Sequence, residues 1–473
     1  MGDVIDTDIC VIGAGSGGLS VAYGASQAGA RTVLVERHNM GGDCLNTGCV
    51  PSKALLAAAH AAAEVGRAAR FGVRAGPATV DFAAVHRHVH AIIAAIEPHD
   101  SAAGYEGLGV TVVRGQARFL DPRTLSVGAT TIRARRYVIA TGSRAAIPPL
   151  PGLADVPFLT NETLFDLTVA PRHLVILGGG PVGCEMAQAH RRLGVPVTIL
   201  ERLTLLPRED PALVAVLRDR LVAEGVVVHE GAEAKRAERT ADGIAVVVAI
   251  AGAEQRIEGS HLLVATGRVP VVDGLELEAA GIERDAKGIV TDDGMRTTNR
   301  RVFAIGDVTG GPLFTHTASY HAGIVLKRAL FRIPARRGAA IPWVTYTDPE
   351  LAHVGLTEAA ARAAGHAVRV ATHGFDHVDR AIAERNTEGF AKIVATPNGR
   401  ILGASIVGPR AGDLLQPWVL AMHACLRMGA MAQAIAPYPT LVEVGKRAAG
   451  AWFAPRVFGP GSKRLVRLLG RLG

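Results

Sequence analysis

Two cysteines stand close together in Gly41-Gly42-Asp43-Cys44-Leu45-Asn46-Thr47-Gly48-Cys49-Val50-Pro51-Ser52-Lys53. In a regular α-helix, residues at that spacing have Cα atoms roughly 8 to 9 Å apart. A disulfide spans no more than about 7 Å. The spacing therefore predicts a distorted turn across Cys44 to Cys49 that leads into a helix, with Asn46, Thr47 and Gly48 in the turn and Pro51 early in the helix. Cys49 would then sit at a helix N-terminus, where free N–H groups and the dipole stabilise a thiolate. Lys53 adds positive charge nearby. The competing chemistries are two plain buried thiols or half of a zinc site. A zinc site takes its ligands in paired clusters, and Cys10, Cys184 and Cys425 are expected in a strand and two helices far off in the chain. The pair reads as redox-active.

Two segments of similar design could position a cofactor for it. The first runs through a strand Asp8–Ile12, the turn Gly13-Ala14-Gly15-Ser16-Gly17-Gly18, a helix Leu19–Ala28, and a strand Thr32–Glu36 ending in an acid. The second runs through His173–Leu177, Gly178-Gly179-Gly180-Pro181-Val182-Gly183, a helix to Leu193, and Val197–Glu201. In such a unit the first glycine makes the tight turn, the second lets backbone approach a pyrophosphate, the third lets helix pack on strand, and the terminal acid accepts from ribose hydroxyls. One glycine-rich turn is weak evidence. Two copies with strand, helix and acid in place predict two bound dinucleotides. Tyr137–Ser143 and Leu262–Arg268 echo each other as strands running into Thr141-Gly142 and Thr266-Gly267, which suggests two domain crossings. Val302–Asp307 reads as a strand whose Gly306-Asp307 end offers a carboxylate to a sugar-alcohol hydroxyl, and from about residue 340 a third, different unit begins.

From residue 6 to about 450 the chain resembles the pyridine nucleotide-disulfide oxidoreductases, which include dihydrolipoamide dehydrogenase, glutathione reductase and mercuric reductase. The resemblance implies an α/β fold with two Rossmann-like dinucleotide-binding domains and a C-terminal α+β dimerisation domain. It implies residues 1–146 and 273–338 for FAD, 147–272 for NAD(P), 339–458 for dimerisation and 459–473 as a basic tail. Cys44 would be the interchange thiol and Cys49 the charge-transfer thiol, with FAD held by Gly13, Gly15, Gly18, Glu36, Lys53, Thr141, Gly142 and Asp307. Gly178, Gly180, Gly183, Glu185, Glu201 and Gly267 would serve the nicotinamide cofactor, with Glu185 able to pair with Lys53. A carboxylate at Glu201 favours NADH over NADPH. The third unit carries Thr345-Tyr346-Thr347-Asp348-Pro349-Glu350, and a homodimer in which each partner completes the other's site is implied.

The chain departs from the family at one catalytic position. Disulfide-exchanging members carry His-Pro-Thr followed by Glu, whereas this chain has Tyr438-Pro439-Thr440 followed by Glu443. An imidazole near pKa 6.5 takes and returns a proton at neutral pH, while a phenol near 10 mainly donates a hydrogen bond. Tyr438, with Asp376-His377-Val378-Asp379-Arg380-Ala381, is more similar to the mercuric reductases. Their vicinal cysteine pair near the C-terminus has no counterpart in Gly459–Gly473. The expected activity is NAD(P)H oxidation through FAD and the Cys44/Cys49 disulfide, with a metal ion or small disulfide or sulfur species as acceptor and no resident metal. The alternatives are a dihydrolipoamide dehydrogenase-type enzyme and a non-turnover redox sensor or membrane-recruited flavoprotein.

Bulk properties narrow the setting. A 473-residue chain with 49% hydrophobic residues, 20% charged residues and 55 glycines suits several soluble cores joined by tight turns. No stretch approaches the ~20 unbroken apolar residues of a membrane span, and Asp3, Asp6 and Asp8 do not read as a secretory signal. Five cysteines in so long a chain suit catalysis in a reducing compartment rather than a disulfide framework, so a cytoplasmic location is expected. The formal charge of +8 comes without the basic, aromatic-interleaved stretches of nucleic-acid binding. Much of it is terminal: Arg456, Lys463, Arg464, Arg467 and Arg471 follow one another with no acid. Their spacing fits a short amphipathic helix, either a solvated, self-packing end or a segment lying on an anionic membrane surface.

Overall fold

The computed structural model describes residues 3–338 and 340–471. It divides into two compact units, one of Met1–Gly178, Arg192–Val197 and Glu233–Gly338, the other of Gly179–Arg191, Thr198–Ala232 and Ala339–Gly473. The first unit begins with β1 (Val4–Ile12), α1 (Ser16–Gln27) and β2 (Thr32–Glu36), followed by α2 (Gly42–Asn46) and α3 (Cys49–Arg67). Its seven-stranded sheet runs in the order Val110–Arg114, β2, β1, Thr130–Ile139, Thr124–Val127 and Ala117–Asp121, with Val302–Ala304 also paired to Thr130–Ile139. The pairs among β2, β1, Val110–Arg114, Thr130–Ile139 and Val302–Ala304 are parallel.

Both faces of this sheet are covered, as parallel sheets require. Side chains alternate with the strand period. Cys10, Ile12, Val33 and Val35 join one core with Phe119, Tyr137 and Leu275. Ile9, Val11 and Leu34 join another with Leu19, Val21 and Ala22 of α1 and with Ile324 and Val325. Cys10 is fully buried, and burial pushes its thiol pKa up. It is a packing residue.

The two Thr-Gly echoes meet. Ser143–Ala145 pairs antiparallel with Arg268–Pro270, and the bonds on either side are reciprocal: Thr141 Oγ1 donates to the Val271 carbonyl at 2.6 Å and Thr266 Oγ1 to the Ala146 carbonyl at 2.9 Å. Leu174–Leu177 pairs parallel with His261–Val264 in the same unit.

In the second unit, residues 198–201 pair in parallel with Val227–Glu230, and residues 181–191 of the helix Pro181–Arg192 supply buried residues from Gly183 to His190. The C-terminal part is a five-stranded sheet ordered Trp343–Thr345, Glu350–Gly355, Ile401–Gly408, Phe390–Ala395 and Arg369–Gly374, antiparallel throughout. Trp418 from Ala411–His423 and Trp452 from Glu443–Val457 pack into its core. Cys425, expected in a helix, lies in a turn just beyond Ala411–His423 with φ of 54°. The chain ends in a helix over Pro460–Leu469.

Candidate active site

The residues assigned to flavin binding gather at the carboxyl ends of parallel strands, where open α/β sheets bind ligands. Gly13 follows β1, Glu36 ends β2, Thr141-Gly142 follow Thr130–Ile139 and Asp307 follows Val302–Ala304. Gly13 has φ of 102°, and a Cβ on it would lie 2.5 Å from the Ala140 carbonyl oxygen. Gly178 repeats this with φ of 116° and a Cβ position 2.4 Å from the Ala265 carbonyl oxygen. Each loop's first glycine thus abuts the alanine before a Thr-Gly turn, a packing that no side chain can share. A Cβ on Gly18 would meet the Gly13 carbonyl oxygen at 1.8 Å. The second glycines face open space: Gly15 would meet only Gly42 Cα at 4.0 Å, and Gly180 nothing within 4 Å.

The terminal acids share one design as well. The two oxygens of Glu36 accept from the Ala14 and His38 N–H groups, each at 2.7 Å. Those of Glu201 accept from Gly179 N–H at 2.6 Å and Leu203 N–H at 2.7 Å. Each carboxylate buttresses its own phosphate loop while keeping lone pairs for a ribose. The N-terminus of α1 has no side-chain cap, so its first N–H groups are available to an anion. Open glycine cradle, uncapped helix and a strand-end carboxylate fit FAD at Gly13–Gly18. The second loop and Glu201 fit a nicotinamide dinucleotide.

The dithiol stretch packs against the first cradle. A Cβ on Gly42 (φ 58°) would lie 2.7 Å from Gly15 Cα, so the chain leading to Cys44 crosses directly over the phosphate loop. Cys49 is the first residue of α3 and Pro51 its third, as the spacing predicts. One detail differs. Cys44 and Asn46 lie in the single-turn helix α2, and the break falls at Thr47 (φ −141°) and Gly48 (φ −128°). Asn46 holds that turn by donating to the Met40 and Gly42 carbonyls at 2.9 and 2.8 Å.

Cys44 and Cys49 are free thiols here, and their titration is split. The hydrogen bond from Cys44, opposed by burial and reinforced by Thr315 and by the charge of Lys53, lowers the Cys49 pKa from 9.0 to about 6. The same bond and burial raise that of Cys44. At neutral pH the pair is a Cys49 thiolate beside a Cys44 thiol. Thr315 Oγ1, 3.4 Å from Cys49 Sγ, carries no spacing signal in the sequence.

Nor does the clamp behind Cys44. Asp43 Oδ1 accepts from Asn161 Nδ2 at 2.8 Å and Thr47 Oγ1 at 2.9 Å, and Asp43 Oδ2 pairs with Arg268 at 3.2 Å. Arg268 also donates to Ser143 Oγ at 2.7 Å, and Ser143 donates to Asp307 Oδ2 at 2.6 Å. One guanidinium therefore ties the cysteine turn to the carboxylate expected at the flavin's sugar alcohol. Burial raises the Asp307 pKa, and the Ser143 bond and Arg268 charge oppose the rise. Behind it His321 is buried, its pKa driven to about 4, and accepts the Gly306 N–H at 3.3 Å. Gly142 and Gly267 have φ of 70° and 130°. Lys53 Nζ contacts Ser52 Oγ at 3.3 Å.

Gly180, Gly183, Glu185, Glu201, Tyr438 and Glu443 belong to the second unit. Glu185 is buried and accepts the Tyr346 N–H at 3.0 Å. Tyr438 is 69% exposed and donates to Asp379 Oδ2 at 2.8 Å. That bond, with the charge of Asp379, raises the phenol pKa, so Tyr438 is held protonated as a hydrogen-bond donor. Glu443 opens the helix Glu443–Val457 and accepts from Arg447 at 3.2 Å. In place of an imidazole–carboxylate pair, the segment presents a phenol bound to Asp379 and a separate Glu443–Arg447 ion pair.

The model of the family described as "Pyridine nucleotide-disulphide oxidoreductase" matches residues 7–322, and that of its dimerisation domain matches residues 341–449. The chain belongs to the pyridine nucleotide-disulphide oxidoreductases. It is 38% identical to the mercuric reductase of Streptomyces lividans over 454 residues, 93% of this chain and 95% of that one. It is 36% identical to the dihydrolipoyl dehydrogenase of Geobacillus stearothermophilus over 457 residues, 94% and 96% of the two chains. Among solved structures it is similar to the Cu(II) complex of the HOCl-induced flavoprotein disulfide reductase RclA from Escherichia coli, with TM-score 0.84, 28% identity and coverage of 93% and 99%. It is also similar to LpdA from Mycobacterium tuberculosis, with TM-score 0.86, 27% identity and coverage of 94% and 99%. As a pyridine nucleotide-disulphide oxidoreductase it is a flavoprotein disulfide reductase that uses FAD and a pyridine nucleotide, and the α/β fold expected from its sequence is the one found. No helix among the described residues is long and apolar enough to cross a membrane.

Proposed function

We propose that this enzyme reduces a thiolate-bound metal ion, of which Hg(II) and Cu(II) are the leading candidates, with electrons from NADH. The observation that carries this reading is the Tyr438–Asp379 hydrogen bond. Reduction of a disulfide substrate leaves two sulfurs that must be protonated, a task for a group titrating near neutral pH. A phenol whose pKa is raised further by Asp379 does not cycle a proton there. Reduction of a metal ion asks only for electrons and thiolate ligands. One NAD(P)H supplies two electrons, enough to take one Hg(II) to the metal or two Cu(II) to Cu(I), and releases one proton. The names of two groups of relatives support a metal acceptor, the mercuric reductases and the Cu(II)-bound RclA.

Bound FAD would supply two-electron transfer from the nicotinamide to the disulfide. Gly13, Gly15, Gly18, Glu36, Thr141, Gly142 and Asp307 would hold it, and Gly178, Gly180, Gly183, Glu201 and Gly267 would hold the dinucleotide. Cys49, the thiolate of the pair, would serve the flavin, and Cys44, the thiol, would meet the acceptor. Glu185 would stand on the nicotinamide side of the dinucleotide, and Lys53 would add positive charge beside Cys49. The carboxylate of Glu201 repels a 2′-phosphate and favours NADH, whereas the exposed Arg202 beside it would soften that preference. The dimerisation domain supports a homodimer, and five free cysteines suit a cytoplasmic setting.

The test is an anaerobic acceptor screen with NADH and with NADPH. Sustained nucleotide oxidation with Hg(II) or Cu(II), at rates at least about ten-fold above those with lipoamide or glutathione disulfide, is expected. The reverse order would assign the enzyme to disulfide exchange.

A further inference from the structure

The helix Pro460–Leu469 is exposed along its length: Lys463 through Arg471 are all accessible to solvent. Its sequence is sharply sorted. At 3.6 residues per turn, Leu465, Leu468 and Leu469 fall on one stripe with Val466 at its edge. Lys463 and Arg467 fall on the opposite face, Arg464 on its flank, and Arg471 follows just beyond the helix end. The stripe is not folded back onto the protein, since Leu465, Val466, Leu468 and Leu469 are 55%, 68%, 57% and 52% exposed. The end of the preceding helix, Glu443–Val457, adds Val457 at 54% and its cap Phe458 at 70%. From Val444 to the end of the chain the sequence has seven Lys or Arg residues and no Asp or Glu.

We propose that this helix docks the enzyme on an anionic lipid surface, with its leucine stripe between the headgroups and its cations against the phosphates. Charge selects that occupant. A second copy of the helix would bring like charges together, and a neutral apolar groove would leave four cations unanswered. An anionic bilayer surface offers apolar depth and negative charge in the layered order that the helix presents. The helix is only ten residues long, so the association is reversible and steeply dependent on ionic strength. It would bring a metal or redox acceptor at the membrane within reach of a soluble reductase, independently of which acceptor that is.

The test is flotation of the full-length FAD-loaded enzyme with phosphatidylcholine vesicles and with vesicles containing a third phosphatidylglycerol. Co-flotation with the anionic vesicles alone, largely lost in 0.5 M salt, is expected. Each lost cation weakens binding about five-fold, so the Arg464→Gln/Arg467→Gln double variant should bind about 25-fold more weakly at unchanged NADH oxidation rate. Leu465→Ser/Leu468→Ser should also lose binding while keeping its charge. Equal binding to neutral vesicles, no binding of the parent enzyme, or a glutamine variant that floats like the parent would each overturn the proposal. So would tail-dependent self-association without lipid binding, which would assign the stripe to a second copy. None of these outcomes bears on the acceptor screen.

Discussion

At Cys49 the hydrogen bond from the neighbouring thiol is the largest influence on the sulfur, ahead of Thr315 and Lys53. The folded pKa lies below the ordinary value, so the thiolate is present above about pH 6 and is lost as pH falls through that point. Alkylation of the reduced enzyme by iodoacetamide, mapped by mass spectrometry, should follow that titration at Cys49 and not at Cys44. A hydrogen bond to a charged group is worth roughly 1.5 to 3 kcal/mol, or roughly one to two pKa units. Cys44→Ala should raise the Cys49 midpoint by that much, and an unmoved midpoint would show that the thiol bond is not what tunes it. Tyr438 tests the proton question separately. Tyr438→His places a group of pKa near 6.5 beside Asp379 and should raise lipoamide turnover at least about ten-fold while leaving metal reduction little changed. An unchanged disulfide rate would mean that proton delivery is not what limits it.

Among the elements, the turn between α2 and α3 is held by side chains distant in sequence. Asp43 joins Thr47 within the turn to Asn161 and Arg268 outside it. Asp43→Ala removes three partners and should destabilise the unit by roughly 2 to 3 kcal/mol at about 1 kcal/mol per net hydrogen bond, read by chemical denaturation. Asp43→Asn keeps two acceptor contacts and should lose less. Because the Asp43 charge raises the Cys49 pKa, the asparagine variant should also move the alkylation midpoint down, a shift that a purely structural role would not produce.

What the sequence revealed and concealed divides along this line. The glycine loops, the terminal acids Glu36 and Glu201, and Cys49 at a helix start were legible because each is a local pattern with a local physical cause. The Thr141 and Thr266 echoes were legible as repeats, although their reciprocal pairing was not. Asp43–Arg268, Cys49–Thr315 and Tyr438–Asp379 join segments that only the fold brings together, and no spacing along the chain announces them. Placing Cys44 in the turn rather than on α2 was a local error: Asn46 was read as a loop residue, but its side chain caps the Met40 and Gly42 carbonyls and completes a helical turn.

For the whole molecule, the family's dimerisation domain over residues 341–449 leads us to expect a dimer of about 99 kDa, twice the 49.3 kDa chain. Light scattering behind a sizing column measures it, and a monodisperse monomer at micromolar concentration would contradict the assignment. One comparison tests the path of electrons from nicotinamide to acceptor most directly. Under anaerobic conditions the Cys49→Ser enzyme, loaded with FAD, would be assayed with NADH against Hg(II) and, as a control, against ferricyanide, which can draw electrons from the flavin. If the dithiol is the relay, metal reduction falls at least about 100-fold while ferricyanide reduction stays within about two-fold of the parent. Full retention of metal reduction without Cys49 would show that the electrons bypass the dithiol.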